Sequence, residues 1–270
     1  MKARALWSGG AAIARTIERE VVGWELPPLD VAFSETPISA DPLGTWCRRC
    51  GQTVGAGEVT QGGCGSCRGR YSPIDRTTRL CEYGGGVAQR VLQTKHGRWF
   101  AMAFELGARL GEQVLATRCD DALPAVVVPI PMPSMRRLGR GIDHAHEIAR
   151  GVAAVIGRPL ARPLRQSAGG TQVGRSPTER RLARSRFHLH FLPPWRPIGL
   201  VSAVLRGHTW RLPSSVLLVD DVRTTGSTLE QAARILRDLG VSTIEAAVVA
   251  VASAPSRRHA ASRSAGTTCE

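Results

Sequence analysis

Val216 to Thr228 reads VLLVDDVRTTGST. Four apolar residues run into two adjacent carboxylates, and those run into a short loop of hydroxyl side chains around one glycine. A loop of this kind, leading straight into a helix, gathers backbone N–H groups and the positive end of the helix, and that favours a phosphate. Thr224, Thr225, Ser227 and Thr228 add hydroxyl donors, and Gly226 lets the backbone come close to a ligand. Asp220 and Asp221 would repel the same phosphate. They suit a different part of a ligand: a ribose diol, or a divalent cation. A nucleotide P-loop is excluded, because it needs a lysine directly after its glycine and Ser227 stands there. A receiver domain is excluded too, because its acid pair lies near the domain start and is followed by more strands than this chain has left.

A second cluster has metal-ligand spacing. Cys47 and Cys50 form one C-x2-C pair, and Cys64 and Cys67 form another. Two such knuckles can close a tetrahedral thiolate site, and four thiolates leave no open position for water. The expected ion is structural Zn²⁺; an iron–sulfur cluster is the alternative. The surrounding stretch is Gly-rich and short of large apolar residues, so it has no core of its own and needs such a staple.

The elements that must position these residues follow from hydropathy. VAQRVLQTKHGRWFAMAFELGARLGEQVL reads as two amphipathic helices around a Lys-His-Gly turn, and AVVVPIP as a short buried strand. HAHEIARGVAAVIG reads as a helix stopped by Gly157, and SVLLVDD as a second buried strand. STLEQAARILRDLG reads as a helix with Leu229, Ala232, Ala233, Leu236 and Leu239 on one stripe, and STIEAAVVAVAS as a third strand. Residues 160–215 are irregular and basic, with room for two short strands. Strands alternating with helices give an α/β fold with a parallel sheet flanked by helices. Ligands of such sheets bind beyond the carboxyl ends of the strands, where the acid pair and its loop must lie. The expected organisation is an extension and linker over 1–45, including a helical stretch from Gly10 to Val22. A zinc-ribbon-like module over 46–75, the α/β domain over 80–253 and a disordered tail over 254–270 complete it.

The thirteen residues from Val216 to Thr228 resemble the 5-phosphoribosyl 1-pyrophosphate (PRPP) motif of type I phosphoribosyltransferases. Within that superfamily the chain is most similar to the ComF family, over most of Trp46 to Ser253. The family's cysteine cluster comes first. LQTKHG, with Lys95, then matches its Lys-x-Gly segment, and VVVPIPMPSMRRLGRGIDHAHEIA matches its next conserved block. Arg165, Thr171, Gln172, Arg180 or Arg181, and Phe187 follow in the family's order. The family's Phe-Asn-Gln is Ile142-Asp143-His144 here, and its later Asn appears as Ala183 or Arg184.

The resemblance implies roles. Asp220 and Asp221 become the catalytic pair that binds the ribose hydroxyls. Thr224, Thr225, Gly226, Ser227 and Thr228 take the 5′-phosphate, and Lys95, Arg137 and Arg140 the pyrophosphate. Mg²⁺ would accompany PRPP, since phosphates and hard oxygens are its usual shell. His144 and His146, two apart on a helix, point to different faces and are read as surface or satisfied histidines rather than metal ligands.

Composition bounds the partners. The 36 Lys and Arg against 22 Asp and Glu leave a formal charge of +14, which attracts polyanions. An Arg-rich composition can also follow from genome base content, so charge alone selects no ligand. Aromatic residues make up 5% of the chain, too few for a continuous base-stacking platform. There is no apolar run long enough for a membrane span and no secretory leader, so the expected location is cytoplasmic. Three functions remain: phosphoribosyl transfer from PRPP, single-stranded DNA binding with the competence machinery as ComF resemblance implies, or PRPP sensing.

Overall fold

The computed structural model describes residues 27–55, 57–59, 63–96, 99–118, 122–132, 143–166, 187–189 and 213–252. The expected helix at 10–22 and the tail at 254–270 lie outside them. In chain order the elements are α1 (Leu29–Glu35), β1 (Arg76–Glu82), α2 (Gly85–His96), α3 (Phe100–Ala116), β2 (Val126–Pro129) and α4 (His144–Ile156). They continue with β3 (Leu164–Gln166), β4 (Phe187–Leu189), β5 (Ser215–Arg223), α5 (Ser227–Asp238) and β6 (Thr243–Val251).

Four strands form a parallel sheet in the order β1-β6-β5-β2, and β3 and β4 pair antiparallel beside it. The three apolar runs read from the sequence are β2, β5 and β6, at the centre and one side of the sheet. Alternate residues on β5 feed two cores. Leu217 and Val219 pack with Leu106, Leu110, Ile148 and Val152 from α3 and α4. Val216 and Leu218 pack with Leu229, Ala232, Ala233 and Leu236 from α5. Helices therefore cover both faces, as a parallel sheet requires. Leu239, expected on the α5 stripe, is the helix C-cap and is 41% exposed, because the helix ends at Asp238 one turn too early to bury it.

Two further differences correct the sequence reading. The fourth strand, β1, is RTTRLCE, too polar to register as a buried strand, yet Thr77, Thr78 and Arg79 on it are buried. Residues 29–41, expected as linker, pack on the domain. Ala32 and Ile38 join the α3–α4 core, and Asp41 reaches the buried Arg79 at 2.6 Å.

α3 and α4 meet backbone to backbone. A Cβ built on Gly107 would stand 2.0 Å from Ile148 O, and one on Gly151 2.1 Å from Phe104 O. No side-chain movement can clear a carbonyl of the facing helix. Gly151→Ala should therefore destabilise the fold by about 2 kcal/mol net, with overpacking of roughly 3 kcal/mol outweighing the ~1 kcal/mol gained in helix propensity. The denaturant midpoint of the variant against wild type measures this.

Candidate functional site

β5 outruns β2. The last paired residues are Pro129 and Val219, with Ile130 N donating to Val219 O at 2.8 Å. From Asp220 to Arg223 the strand continues with β6 as its partner, in register up to Arg223 and Val251. The acid pair thus sits where the sheet opens on the β2 side. Pro129 suits its place: Val127 N, of the same parity, donates away from β5 to Pro159 O at 2.9 Å, so the missing N–H of Pro129 faces away from β5.

The two carboxylates do not lie side by side. Successive strand residues point to opposite faces. Asp220 is half-buried, and its Oδ1 accepts from Asp221 N at 2.9 Å. Asp221 is only 6% exposed and shares its face with Val219. Its Oδ1 accepts from Val222 N at 2.6 Å, and its Oδ2 lies 2.8 Å from Nε2 of the buried His144 at the start of α4. The expectation that both acids stand outside the core is corrected for Asp221. His144, read from the sequence as a surface or satisfied histidine, is buried: its Nε2 meets the motif's second acid, and its Nδ1 has no hydrogen-bond partner among the described residues.

Past the acids the chain turns through Thr224 and Thr225 into α5. Gly226 is the N-cap residue, with φ 79° and no side-chain cap; Ser227 N donates to Thr225 Oγ1 at 3.4 Å, and the next N–H groups of the first turn are open to an external acceptor. Thr225 Oγ1 donates to Ser227 Oγ at 3.1 Å, gathering hydroxyls at the same turn. Glycine is needed at 226 twice over: for the positive φ, and because a Cβ would meet the Arg223 guanidinium at 2.6 Å. Arg223 is buried, donates to Thr77 Oγ1 at 3.3 Å, and lies 3.7 Å from Glu230 on α5. Of the cations expected at pyrophosphate, Lys95 falls on α2, and Arg137 and Arg140 lie outside the described residues. One turn beyond His144, burial raises the carboxyl pKa of Glu147, although Arg150 lies 2.7 Å away.

The four cysteines converge. Their Sγ atoms all lie within 4.8 Å of one another. Cys47–Cys67, Cys50–Cys64 and Cys64–Cys67 are separated by 4.0, 3.6 and 3.8 Å. A tetrahedron with Zn–S bonds of ~2.3 Å has edges of about 3.8 Å, so the cluster fits a structural metal such as zinc. Cys64 N donates to Cys47 Sγ at 3.3 Å, an orienting bond of the kind that metal knuckles use. Burial works to raise the Cys47 thiol, but the backbone N–H groups of Cys64, Cys50 and Arg49 outweigh it and bring it down to about 7. Burial pushes Cys50 strongly up, and Cys67 to about 11. A metal must displace those protons, so its affinity falls as pH falls.

The knuckle is bonded to the sheet. Arg48 O and Arg49 O accept from Thr77 N and Oγ1, at 2.6 and 2.9 Å. Arg79 Nη1 donates to Gly51 O at 2.8 Å, and Gln52 Nε2 to Ala252 O at 3.1 Å. Between knuckle and phosphate loop lies a cleft of about 1340 Å³, with Arg49, Arg68, Arg70 and Tyr71 on one side and Arg223, Thr224 and Thr225 on the other. These arginines and Tyr71 were not singled out from the sequence, although CRRC and CRGRY show basic residues inside and beside the knuckles.

The phosphoribosyl transferase domain model matches residues 126–269, from β2 past the acid pair and loop. The chain belongs to the phosphoribosyl transferase domain family. It is also 27% identical over 210 residues to the DNA utilization protein YhgH of Salmonella typhi, covering 74% of this chain and 81% of that one. YhgH of Shigella flexneri is 26% identical over 212 residues, covering 74% and 82%. These similarities make it a ComF-like member of the phosphoribosyl transferase family, and its parallel sheet with flanking helices is the type I arrangement. No described helix is long and apolar enough to cross a membrane.

The metal reading has a direct consequence. Purified under reducing conditions, the protein should carry one zinc per chain by elemental analysis. Cys64→Ser should lose it and loosen the bonds from residues 48–52 to β1, seen as faster amide exchange there. Metal-free protein, or a serine variant that retains zinc, is the contrary result.

Proposed function

We propose that the chain binds PRPP with Mg²⁺ at the open end of β5. The observation that carries this is the uncapped start of α5 at Gly226, set with its hydroxyl side chains directly after an acid pair at a strand end. A ligand that satisfies both features has a phosphate and a diol a few ångströms apart, which describes a ribose 5-phosphate. The loop from Thr224 to Thr228 takes the 5′-phosphate, and Asp220 and Asp221 take the ribose hydroxyls. Lys95, Arg137 and Arg140 are proposed for the pyrophosphate. Bound Mg²⁺ supplies positive charge to that pyrophosphate, and the half-buried carboxylate of Asp220 and the loop hydroxyls are the hard oxygen donors nearby. Transfer would follow from such binding: the acids hold the ribose in place while the C1–O bond to pyrophosphate breaks, positive charge grows at C1, pyrophosphate leaves with the electron pair and an acceptor bonds to C1.

A second reading has its own observation. The cleft beside the loop carries Arg49, Arg68, Arg70 and Arg223 against Glu58 and Glu230, with Tyr71 77% exposed among them. A groove with an excess of guanidinium and an aromatic face suits single-stranded DNA, whose phosphates pair with arginine and whose bases stack. The relatives named as DNA utilization proteins favour the same partner.

Two measurements test these readings. For PRPP, calorimetry with Mg²⁺ should show binding by the wild type. Asp220→Asn should weaken it roughly tenfold to a hundredfold, since a charge-assisted hydrogen bond is worth about 1.5–3 kcal/mol, without lowering thermal stability. Thr225→Val should weaken it in the same direction. A wild type with no PRPP affinity, or an Asp220 variant that binds equally well, refutes the PRPP reading. For DNA, anisotropy with a labelled oligonucleotide should show affinity falling steeply with salt. Arg68→Ala with Arg70→Ala should flatten the log–log salt slope by about 0.7 per lost phosphate contact. An unchanged slope removes the cleft as the DNA site.

A further inference from the structure

His144 is the first residue of α4, 5% exposed, with its Nε2 2.8 Å from Asp221 Oδ2. Helix α4 does not need it as a cap. Asp143 is the N-cap and accepts from His146 N at 3.3 Å, and Arg162 holds the other oxygen of Asp143 at 2.7 Å. His144 Nδ1 is buried with no hydrogen-bond partner among the described residues. A buried N–H without an acceptor costs more than an idle lone pair, so the ring proton belongs on Nε2, the nitrogen nearest the carboxylate.

We propose that His144 is a positioning residue for the acid pair: through Nε2 it fixes the carboxylate plane of Asp221 against a ribose hydroxyl. This rests on the PRPP reading above. Asp221 is one bond sequence away from free rotation. Its Oδ1 is tied to the next backbone N–H, which limits but does not set the plane of the group. The Nε2 contact on Oδ2 completes a two-point hold. Oδ2 is fully buried, so a ribose hydroxyl would donate to the held group at Oδ1, which keeps a second lone pair beside the bond from Val222 N. The requirement falls on one atom, Nε2, and not on ring volume or positive charge.

Glutamine tests that. Its Nε2 stands the same number of bonds from Cβ as histidine Nε2 and always carries a proton, whereas the asparagine amide reaches only to the place of Nδ1. PRPP affinity is read by calorimetry with Mg²⁺ on the full chain, with thermal unfolding as the check on folding. His144→Ala should bind about tenfold more weakly, the loss of one charge-assisted hydrogen bond. His144→Asn should match that loss, and His144→Gln should return to within about threefold of wild type, under 1 kcal/mol. If the alanine variant does not fold, the glutamine–asparagine pair decides. Glutamine and asparagine variants that bind alike, or an alanine variant that binds as wild type does, overturn the proposal while PRPP binding stands. A wild type with no PRPP affinity overturns both.

Discussion

The alternation of side chains along β5 is the constraint on which the rest of the molecule depends. A parallel strand covered on both faces must alternate between two cores, and β5 does so from Val216 to Val219. The alternation does not stop when the apolar residues do. It carries on into Asp220 and Asp221 and sends their carboxylates to opposite sides. The acid on the α4 side is then closed in, and must find a donor there. The acid on the α5 side stays half-open beside the loop. One strand thus yields two carboxylates with the same chemistry and different freedom.

The loop that follows is shaped by what lies under it as much as by what it would bind. Arg223 continues the strand, and its guanidinium passes close under Gly226, so only glycine fits above it. The same guanidinium touches Thr77 on β1, and Thr77 in turn bonds to the carbonyl of Arg49 in the first cysteine knuckle. The cysteine cluster and the loop from Thr224 to Thr228 are therefore joined through side chains from β1 and β5. A Gly-rich knuckle with no apolar core is held at two ends, by its thiolates and by the sheet. That explains why β1 is polar and yet buried: Thr77 and Arg79 answer the carbonyls of the knuckle, and Thr78 pairs with the Thr117 hydroxyl at the end of α3.

How much of this was legible in the sequence depends on where the determining partner sits. β2, β5, β6, α4 and α5 are written in their own residues, because an apolar run or a 3.6-residue stripe is a local property. The hydroxyl-rich loop from Thr224 to Thr228 and the C-x2-C pairs stand out as patterns for the same reason, their residues being close in the chain. β1 was not, since the buried polar side chains of Thr77 and Arg79 are answered by acceptors from residues 48–53, and that of Thr78 by Thr117. α1 was hidden between prolines, and its burial comes from α2 and α3. The cleft arginines were visible as charges, but their convergence on Thr224 and Thr225 needed the fold.

His144 is the instructive case. As a lone histidine on a helix it carries no signal beyond its titration, and the bland reading, a satisfied side chain, holds for Nε2 alone, since Nδ1 has no hydrogen-bond partner among the described residues. What the sequence could not say is which acceptor satisfies it, because Asp221 lies on the other side of the β3–β4 hairpin in the chain. Contact order, not chemistry, concealed the pair.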